Sequence, residues 1–497
     1  MIFENDHYGF GQAIDHAVAL VRDLAGGAVA PSAGRSGKRR LWSRIQTRII
    51  HYLLSHAEWL RQSGMDGVTR YVQRVLWEKD VANRAFDKPM LLWIVPYDVT
   101  RPFNGGSARV HGLCRALSER FCVRILTITA PGLPARVISL GANVGVWSFP
   151  LPPASWRRIE ENHKRYGEGS WLLTLLEEKE VSPADLGYCL EHFRERTRLV
   201  VLDSPYLFPS VEEHLHGVPL VYQTNDVPVE FVRMLVNSSD ALAAVDAVRA
   251  VEERIVKRAS LVVCVCQEDL KALRSQHELD IKKVEVIENG VDTGNAGCYP
   301  PGQTCRLRSQ CGLDRQVVLF IGSPHEPNLD AVRIIAERVA PQAPRALFVI
   351  IGLTLADAVR RVDISSISPN MIFTGRIDDT VKEVVFMLSD VAIAPMVSGT
   401  GSSLKIPDYI LHGKPVVTTE TGMRSFCELN QYVRISAVDH FALSLNTLLK
   451  DLETNPTALD DICIRASEQV RRTSDWCPLA RPMIRKLSSI VDNRTLS

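Results

Sequence analysis

Hydrophobic and polar positions along the chain form two successive series of apolar strands and amphipathic helices. In the first series, residues 91–96 make a continuous apolar run, which is typical of a strand buried on both faces. A loop, Asn104-Gly105-Gly106, then leads to a helix predicted over residues 108–119, with Ser107 as its N-cap, and to the strand VRILTIT. Strands and helices continue to about residue 290, and this order predicts a parallel α/β domain.

The second series begins at the apolar run QVVLFIG and has the same character. Further strands are predicted in ALFVIIG, NMIFTG and VAIAPM, with a helix in TVKEVVFMLSD. After GMRSF the pattern is mainly helical, and it ends in a segment in which Trp476 is a predicted anchor. The fold class predicted from the pattern is therefore α/β, with two parallel sheets of comparable size.

Residues 1–87 differ from both series. Within them, residues 35–61 hold seven Lys and Arg against one Glu, and the apolar positions Trp42, Ile45, Ile49 and Leu53 recur at roughly helical spacing. A basic amphipathic helix of this kind can lie on an anionic membrane surface. The alternative is a helix packed on the main body with a solvated basic face, and the sequence leaves both open.

Composition excludes several classes of protein. The formal net charge of +1 over 497 residues gives no global bias toward nucleic acid, and no such partner is expected. The 11 cysteines include no CxxC pair, which favours reduced thiols, a cytoplasmic protein and no bound metal. No secretory signal and no apolar run long enough to cross a membrane are visible.

The segment Asp390–Gly422 carries the strongest candidate chemistry. A strand leads into the loop Ser398-Gly399-Thr400-Gly401-Ser402-Ser403, and a helix is predicted to begin near Leu404. Glycines let backbone N–H groups approach a ligand, and a helix N-terminus favours an anion. Lys405 in the first turn is poorly placed against the helix dipole unless a negative ligand is bound. The segment thus predicts a phosphate site, with a tight turn and a solvated lysine as the alternative.

Two further features of the same segment bear on its chemistry. Asp408 follows Lys405 on nearly the same helical face, where it could accept hydrogen bonds from sugar hydroxyls. The pair Gly399 and Gly401, with Glu420 at the end of the next strand, partly imitates a dinucleotide-binding fingerprint. Leu404 occupies the position of the third glycine, which makes a nicotinamide-dependent enzyme the weaker interpretation.

Five motifs in order resemble the group 1 (family 4) glycosyltransferases of the GT-B fold. They are NGGSARVHGLCRAL, VIENGVD, VLFIGSPHEPNLDAV, FTGRIDD and APMVSGTGSSLKIPDYILHGKPVVTT. The resemblance implies two Rossmann-like domains facing a cleft, with an acceptor domain over residues 88–295 and a nucleotide-sugar domain over residues 296–470. Residues 471–497 would form a helix crossing back to the first domain, and residues 1–87 would be an extension.

The resemblance also implies the site residues. Metal-independent, retaining transfer from a nucleotide-diphosphate sugar, without a cofactor, is expected, and Lys405 would stabilise the leaving diphosphate. Asn225 and Asp226 match a strand end of the acceptor domain, where Asp226 could orient a hydroxyl or act as a base; the alternative for Asp226 is an Asx turn or a helix cap. The donor-binding positions are Gly105, Gly106, Gly322, Ser323, Gly399, Thr400, Gly401, Ser402, Ser403, Lys405 and Asp408.

Two departures from the family pattern keep a second function class open. Thr400 stands where many relatives carry a glutamate, and Asn225 cannot accept a proton. A GT-B protein that binds ligands without turnover is therefore the alternative to an active transferase. The expected partners are a nucleotide-sugar donor and a glycan, glycolipid or small acceptor, with peripheral contact at the inner membrane surface through residues 35–61.

Overall fold

The structure, a computed structural model, describes residues 88–495 except 103, 134, 142, 237–239, 295 and 400–402. The predicted extension over residues 1–87 and its basic helix lie outside the described residues, as do Thr400, Gly401 and Ser402 of the glycine loop. The described chain folds into two α/β domains, each built on its own sheet. The predicted fold class is confirmed.

The first domain is built on an eight-stranded sheet with the strand order β3-β4-β2-β1-β5-β6-β7-β8. Its strands are β1 Met90–Val95, β2 Cys122–Thr129, β3 Val137–Gly141, β4 Val144–Pro150, β5 Thr197–Asp203, β6 Leu220–Gln223, β7 Leu261–Cys264 and β8 Val284–Val286. Strand β3 runs antiparallel to β4, and the other neighbours pair in parallel.

Strand β1 shows why the apolar run beginning at Leu91 is continuous. Leu91 and Trp93 face one hydrophobic cluster, and Leu92 and Ile94 face another on the opposite side of the sheet. Because successive side chains of a strand point to opposite faces, burial of both faces requires an apolar residue at every position.

The second domain has a six-stranded parallel sheet with the order β11-β10-β9-β12-β13-β14. Its strands are β9 Val317–Ile321, β10 Leu347–Ile351, β11 Met371–Gly375, β12 Val391–Ala394, β13 Val416–Thr418 and β14 Val433–Ile435. A single large cluster of buried side chains fills this domain from Val291 to Val470.

Helices connect the strands in both domains. In the first domain they are α1 Gly105–Leu117, α2 Pro153–Tyr166, α3 Ser170–Glu177, α4 Ala184–Phe193, α5 Phe208–Val211, α6 Pro228–Leu235, α7 Ala241–Arg258 and α8 Gln267–Gln276. Those that follow are α9 Pro301–Gln310, α10 Glu326–Ile334, α11 Leu355–Ala358, α12 Asp379–Leu388, α13 Lys405–Leu411, α14 Phe441–Thr454, α15 Asp460–Thr473 and α16 Trp476–Thr495. Within the described part of the chain, no helix is long and apolar enough to cross a membrane.

One prediction about local structure was wrong. Helix α1 begins at Gly105 because Asn104, not Ser107, is its N-cap. The Asn104 side chain accepts a hydrogen bond from the Ser107 backbone N–H at 2.8 Å, and the Ser107 hydroxyl accepts one from the Asn104 N–H at 3.0 Å. The region after GMRSF is mainly helical, as predicted, and it also contains one strand, β14, whose three residues are too few to show a period.

The last helix, α16, packs on the first domain. Its residues Ala480, Met483, Leu487 and Val491 join the cluster that covers one face of the first sheet. Trp476, at its start, lies against Gly112 of α1, where an added Cβ would come within 2.2 Å of the indole ring. A glycine at position 112 is therefore required for this helix to dock.

We predict that Leu487→Ala lowers the free energy of unfolding of the first domain by about 2–5 kcal/mol, because it leaves a cavity under α16. Leu487 is 0% exposed. The measurement is the urea midpoint followed by tryptophan fluorescence. Leu443→Ala, which removes the same atoms from a leucine that is 68% exposed on α14, is the matched control. Equal effects of the two substitutions would contradict the docking of α16.

Candidate active site

A cleft of about 1130 Å³ lies between the two domains. Its walls come from segments that follow the carboxyl ends of strands, including Tyr97 after β1, Asn225 after β6 and Gly322 after β9. The carboxyl ends of parallel strands meet at one edge of a sheet, and ligands of α/β proteins bind there. The cleft is therefore the candidate active site.

The structure brings the described members of the predicted site together. Those that line the cleft are Gly105, Gly106, Asn225, Asp226, Gly322, Ser323, Gly399, Ser403, Lys405 and Asp408. They come from both domains and are separated by up to 303 positions in sequence, which follows from 408 − 105. Their shared location is consistent with one site, and their individual roles stay predictions.

Lys405, the first residue of α13, is held in the cleft by uncharged groups. Its ammonium donates a hydrogen bond to Asn328 Oδ1 at 2.7 Å, contacts Met396 Sδ at 3.4 Å and lies 4.5 Å from the centre of the Phe320 ring. Burial lowers the pKa of Lys405 to about 7. Among the described residues, no carboxylate forms an ion pair with it, so the cation has no protein counter-charge at contact distance.

Asn328 joins two of the predicted donor-binding segments. Its Nδ2 donates to the carbonyl oxygen of Ser323 at 3.0 Å, while its Oδ1 accepts from Lys405. An added Cβ at Gly322 would come within 2.9 Å of Asn328 Cγ, so Gly322 lets this side chain lie across the loop. Asn328, on α10, thus connects the loop after β9 to the Lys405 ammonium and fixes the position of that ammonium.

The bend before α13 also has free hydrogen-bonding capacity. Gly399 has φ +135°, a conformation that favours glycine, and its carbonyl oxygen accepts a hydrogen bond from Arg424 Nη1 at 2.7 Å. Ser403 Oγ is buried and has no hydrogen-bond partner among the described residues. An unpaired buried hydroxyl is costly unless a ligand satisfies it.

Asp408 is paired with a cation that the sequence analysis did not consider. Its carboxylate lies 2.7 Å from Lys382 Nζ and 3.4 Å from His412 Nδ1. Burial by itself would raise the pKa of Asp408, but Lys382 and His412 outweigh it and lower that pKa. Lys382 lines the cleft as well, so this end of the site presents an ion pair rather than an isolated carboxylate.

On the opposite wall, Asn225 belongs to a buried polar network. Its Nδ2 donates to Asp203 Oδ1 at 2.6 Å and to Tyr97 Oη at 2.7 Å. Asp203 is fully buried at the end of β5, and Tyr97 reaches the same oxygen from the end of β1. Asp226 is the next residue along the cleft wall.

Three contacts cross between the domains around the cleft. Phe231 of α6 stacks on His325, with ring centroids 6.2 Å apart and planes 4° from parallel. An added Cβ at Gly105 would touch Leu404 Cδ1 at 3.5 Å. The third contact, between Arg424 Nη2 and Asp269 Oδ1 at 3.8 Å, links the bend before α13 to α8.

Comparison with known protein families identifies the family of this chain. A family model described as a glycosyl transferase 4-like domain matches residues 104–290, and one described as glycosyl transferases group 1 matches residues 315–451. The chain belongs to the group 1 glycosyltransferases. The predicted family and the predicted enzyme class are confirmed.

Solved structures show the same fold. Sucrose-phosphate synthase from Thermosynechococcus elongatus matches with a TM-score of 0.61 and 15% identity over 81% of this chain and 100% of that one. Anabaena HepE, in complex with UDP and glucose, matches with a TM-score of 0.55 and 18% identity over 80% of this chain and 100% of that one. Trehalose 6-phosphate synthase from Burkholderia multivorans matches with a TM-score of 0.54 and 12% identity over 82% of this chain and 100% of that one. No curated protein matches.

The competing nicotinamide interpretation loses its structural basis in this glycosyltransferase. Glu420, which would have held a ribose, is exposed and is absent from the cleft lining. Among the described residues there is also no group of three His, Cys, Asp or Glu side chains that could hold a metal ion.

Sequence reasoning missed several residues of the glycosyltransferase cleft. Tyr97 and Asp203 follow or end neighbouring strands, so the rule that polar residues gather at carboxyl strand ends could have found them. Arg109 lies one helical turn after Gly105; it donates to Asn289 Oδ1 at 2.9 Å, and burial lowers its pKa to about 10. Lys382 and Arg424 gave no sequence signal, because each is defined by a contact with a distant segment.

We predict that Gly106→Ala destabilises the glycosyltransferase by about 1–3 kcal/mol through overpacking. An added Cβ would lie 2.9 Å from Tyr97 Oη and 3.3 Å from Tyr97 Cζ, although alanine is normally the better helix former. The measurement is thermal unfolding in a double-mutant cycle with Tyr97→Phe, which removes the nearest atom. Gly106→Ala should cost less in the Tyr97→Phe background, and an equal cost in both would show that Tyr97 is not the obstacle.

Proposed function

We propose that this glycosyltransferase moves a sugar from a nucleotide-diphosphate sugar to a hydroxyl of a glycan, glycolipid or small acceptor. In the proposal the transfer retains the anomeric configuration and needs no metal ion. The observation that carries it is the Lys405 ammonium, which lines the cleft and has no carboxylate in contact within the part of the chain that the structure describes. A bound diphosphate supplies the missing counter-charge.

The surroundings of Lys405 support a diphosphate in particular. Gly399 and Ser403 line the cleft beside it, and the Ser403 hydroxyl has no partner among the described residues. Hydroxyl and ammonium groups that are fixed before binding stabilise the charge that develops on a leaving group. Gly105 and Gly106 bring the first turn of α1 to the same region from the other domain.

The nucleoside end of the donor is assigned to the neighbourhood of Asp408 and Lys382. Both side chains line the cleft. Asp408 lies one helical turn from Lys405 on α13, and Lys382 reaches it from α12. A carboxylate paired with an ammonium offers both an acceptor and donors to ribose hydroxyls. HepE was solved with UDP and glucose, and this favours UDP as the first nucleotide to test.

The proposed reaction breaks the bond between the anomeric carbon and the diphosphate oxygen, and its electron pair leaves with the diphosphate. The acceptor oxygen forms the new bond to the same carbon. With retention, the acceptor approaches from the face that the diphosphate leaves, so a diphosphate oxygen is the nearest base for its proton. Asp226 and Asn225 on the facing wall would orient the acceptor, with Asp226 as the alternative base.

We predict that the protein hydrolyses UDP-glucose, or another sugar in a panel of UDP and GDP donors, at the same rate with and without EDTA. The sugar released first should keep the donor's configuration, as followed by proton NMR before mutarotation. A rate that falls with EDTA and returns with a divalent cation would contradict metal independence. Release of the opposite anomer would contradict retention, and binding without turnover would favour the non-catalytic alternative.

We predict that Lys405→Ala weakens UDP-glucose binding about 10- to 100-fold, the worth of a hydrogen bond to a charged group. Diphosphate binding raises a pKa that is about 7 in the free protein. Affinity should therefore be highest below pH 7 and fall as the pH rises through 7, and this fall should vanish in Lys405→Ala. UDP-glucose is the probe because neither phosphate is a monoester that titrates near pH 6.

Isothermal titration calorimetry from about pH 6 to about pH 9, a range that includes the Lys405 pKa of about 7, measures both the affinity and its dependence on pH. Lys450→Ala is the control, since Lys450 is exposed and outside the cleft lining. Unchanged affinity in Lys405→Ala would remove the phosphate assignment.

A further inference from the structure

Asp203 is a buried carboxylate beside the cleft that the proposed reaction does not itself use. Its Oδ2 accepts a hydrogen bond from Trp93 Nε1 at 3.1 Å. Its Oδ1 accepts from Asn225 Nδ2 at 2.6 Å and from Tyr97 Oη at 3.1 Å. The carboxylate has no exposed surface, so it acts on the cleft only through these donors.

These contacts determine which end of the Asn225 amide is turned inward. An ionised carboxylate only accepts hydrogen bonds, so it must face Nδ2 rather than Oδ1 of the amide. Both Nδ2 hydrogens are used, one toward Asp203 and one toward Tyr97. Within the described chain, the one contact of Asn225 Oδ1 is a long one to Gln223 Nε2 at 3.5 Å, so this oxygen keeps accepting capacity in a residue that lines the cleft.

Packing holds the network in this arrangement. The Tyr97 hydroxyl lies so close to Gly106 that a Cβ there would approach it to 2.9 Å, which leaves the ring little freedom to turn away. Trp93 is itself buried in the cluster under α16. Indole Nε1 is a donor only, so it requires an acceptor at the Asp203 oxygen that it faces.

We propose that Asp203 is a positioning residue: it fixes the Asn225 amide so that Oδ1, a hydrogen-bond acceptor, meets the hydroxyl that attacks the donor sugar. This role rests on the proposed transfer reaction and deepens it. Asn225 then directs the hydroxyl oxygen's lone pair toward the anomeric carbon by accepting a hydrogen bond from the hydroxyl during its approach. Asn225 takes up no proton; as the new bond forms and the bond to the diphosphate breaks, the proton passes to an oxygen of the departing diphosphate.

The charged and polar groups around Asp203 give the arrangement a pH dependence. Burial raises the pKa of Asp203 to about 6, against the hydrogen bonds from Trp93, Tyr97 and Asn225 and the charge of Arg109, which lower it. Ser204 Oγ at 3.4 Å and the buried Cys114 thiol, whose pKa burial raises, complete the surroundings. Below pH 6 the carboxyl becomes a donor, and the amide is then free to reverse.

The first test is Asp203→Asn, assayed by hydrolysis of UDP-glucose or of the donor that the panel selects, with water as the acceptor. Trp93 Nε1 will face Oδ1 of the new amide, which leaves its NH2 group toward Asn225. Asn225 should then reverse and present Nδ2 to the cleft. We expect kcat to fall about 3- to 10-fold, the worth of a hydrogen bond between uncharged groups, with the donor Kd unchanged.

The second test is the reciprocal variant Asp203→Asn with Asn225→Asp. In it, the amide introduced at position 203 donates to one oxygen of the carboxylate introduced at position 225, and the other oxygen of that carboxylate faces the hydroxyl as an acceptor. We expect this double variant to recover most of the lost kcat. Asn225→Asp alone should remain poor, because it places two carboxylates at hydrogen-bonding distance.

The third readout is the pH profile of kcat at saturating donor, which removes the effect of Lys405 on binding. In the wild type, kcat should fall as the pH drops through about 6, the pKa of Asp203. This acidic limb should be absent in Asp203→Asn. Tyr97→Phe, which leaves the carboxylate in place, should keep the limb and provides a second variant if Asp203→Asn does not fold.

Glu252→Gln is the matched control. Glu252 is another fully buried carboxyl of the first domain, it accepts from Tyr222 Oη at 2.6 Å and contacts His277 Nε2 at 2.8 Å, and it is absent from the cleft lining. Its substitution should affect stability and leave kcat and the acidic limb unchanged.

The outcomes separate this inference from the proposed function. A kcat in Asp203→Asn equal to that of the wild type, or no recovery of kcat in the reciprocal variant, overturns the positioning role. Neither result contradicts the proposed function as long as the wild type turns over a donor. A parallel loss of donor affinity in Asp203→Asn also overturns it, since it would show a structural role only. Absence of turnover in the wild type with every donor overturns the proposed function and this inference together.

Discussion

The constraint on which the rest of the site depends is a buried ammonium group in the cleft that has no carboxylate partner among the residues described. Removing a charge from water costs several kcal/mol unless an opposite charge or strong hydrogen bonds compensate. Lys405 has one amide oxygen, one thioether and one aromatic face. These partners orient the ammonium without neutralising it, which is the condition for a strong interaction with an arriving anion.

The surrounding protein makes this arrangement tolerable. Helix α13 is short, but Ile406, Tyr409 and Ile410 beside Lys405 are buried in the core of the second domain. Tyr409 Oη also accepts a hydrogen bond from the backbone N–H of Ile321 at 2.7 Å, which ties α13 to β9. Apolar burial on three positions of one helix holds the Lys405 side chain in place in the absence of its ligand, while burial lowers the pKa of Lys405 to about 7.

Contacts between the domains couple the bend before α13 to the facing wall. Arg424 donates to the carbonyl oxygen of Gly399 and at the same time lies near Asp269 of the first domain. Burial raises the pKa of Asp269 to about 6, and the Arg424 charge acts in the opposite direction. Arg424 therefore connects the backbone of Gly399 in the second domain with Asp269 in the first.

The fold could be predicted from sequence further than the site could. Buried parallel strands such as β1 and β9 are continuous apolar runs, and such runs can be recognised from local sequence alone. Glycines and Lys405 were found because a strand, a loop and a helix start stand in succession. Lys382 and Asp203 were missed because their significance comes from partners 26 and 22 positions away, Asp408 and Asn225, and such pairing is a property of packing.

The difference between local sequence and contacts with distant residues also changes the interpretation of Asn225. In the sequence, an amide at this position indicates the loss of a base and favours a protein without turnover. An amide, however, has an accepting end and a donating end of nearly equal size, so its chemistry depends on which end its neighbours hold. Here the carboxylate of Asp203 holds the donating end, and Asn225 keeps an acceptor for the cleft. The residue type alone is therefore no argument against catalysis by this chain.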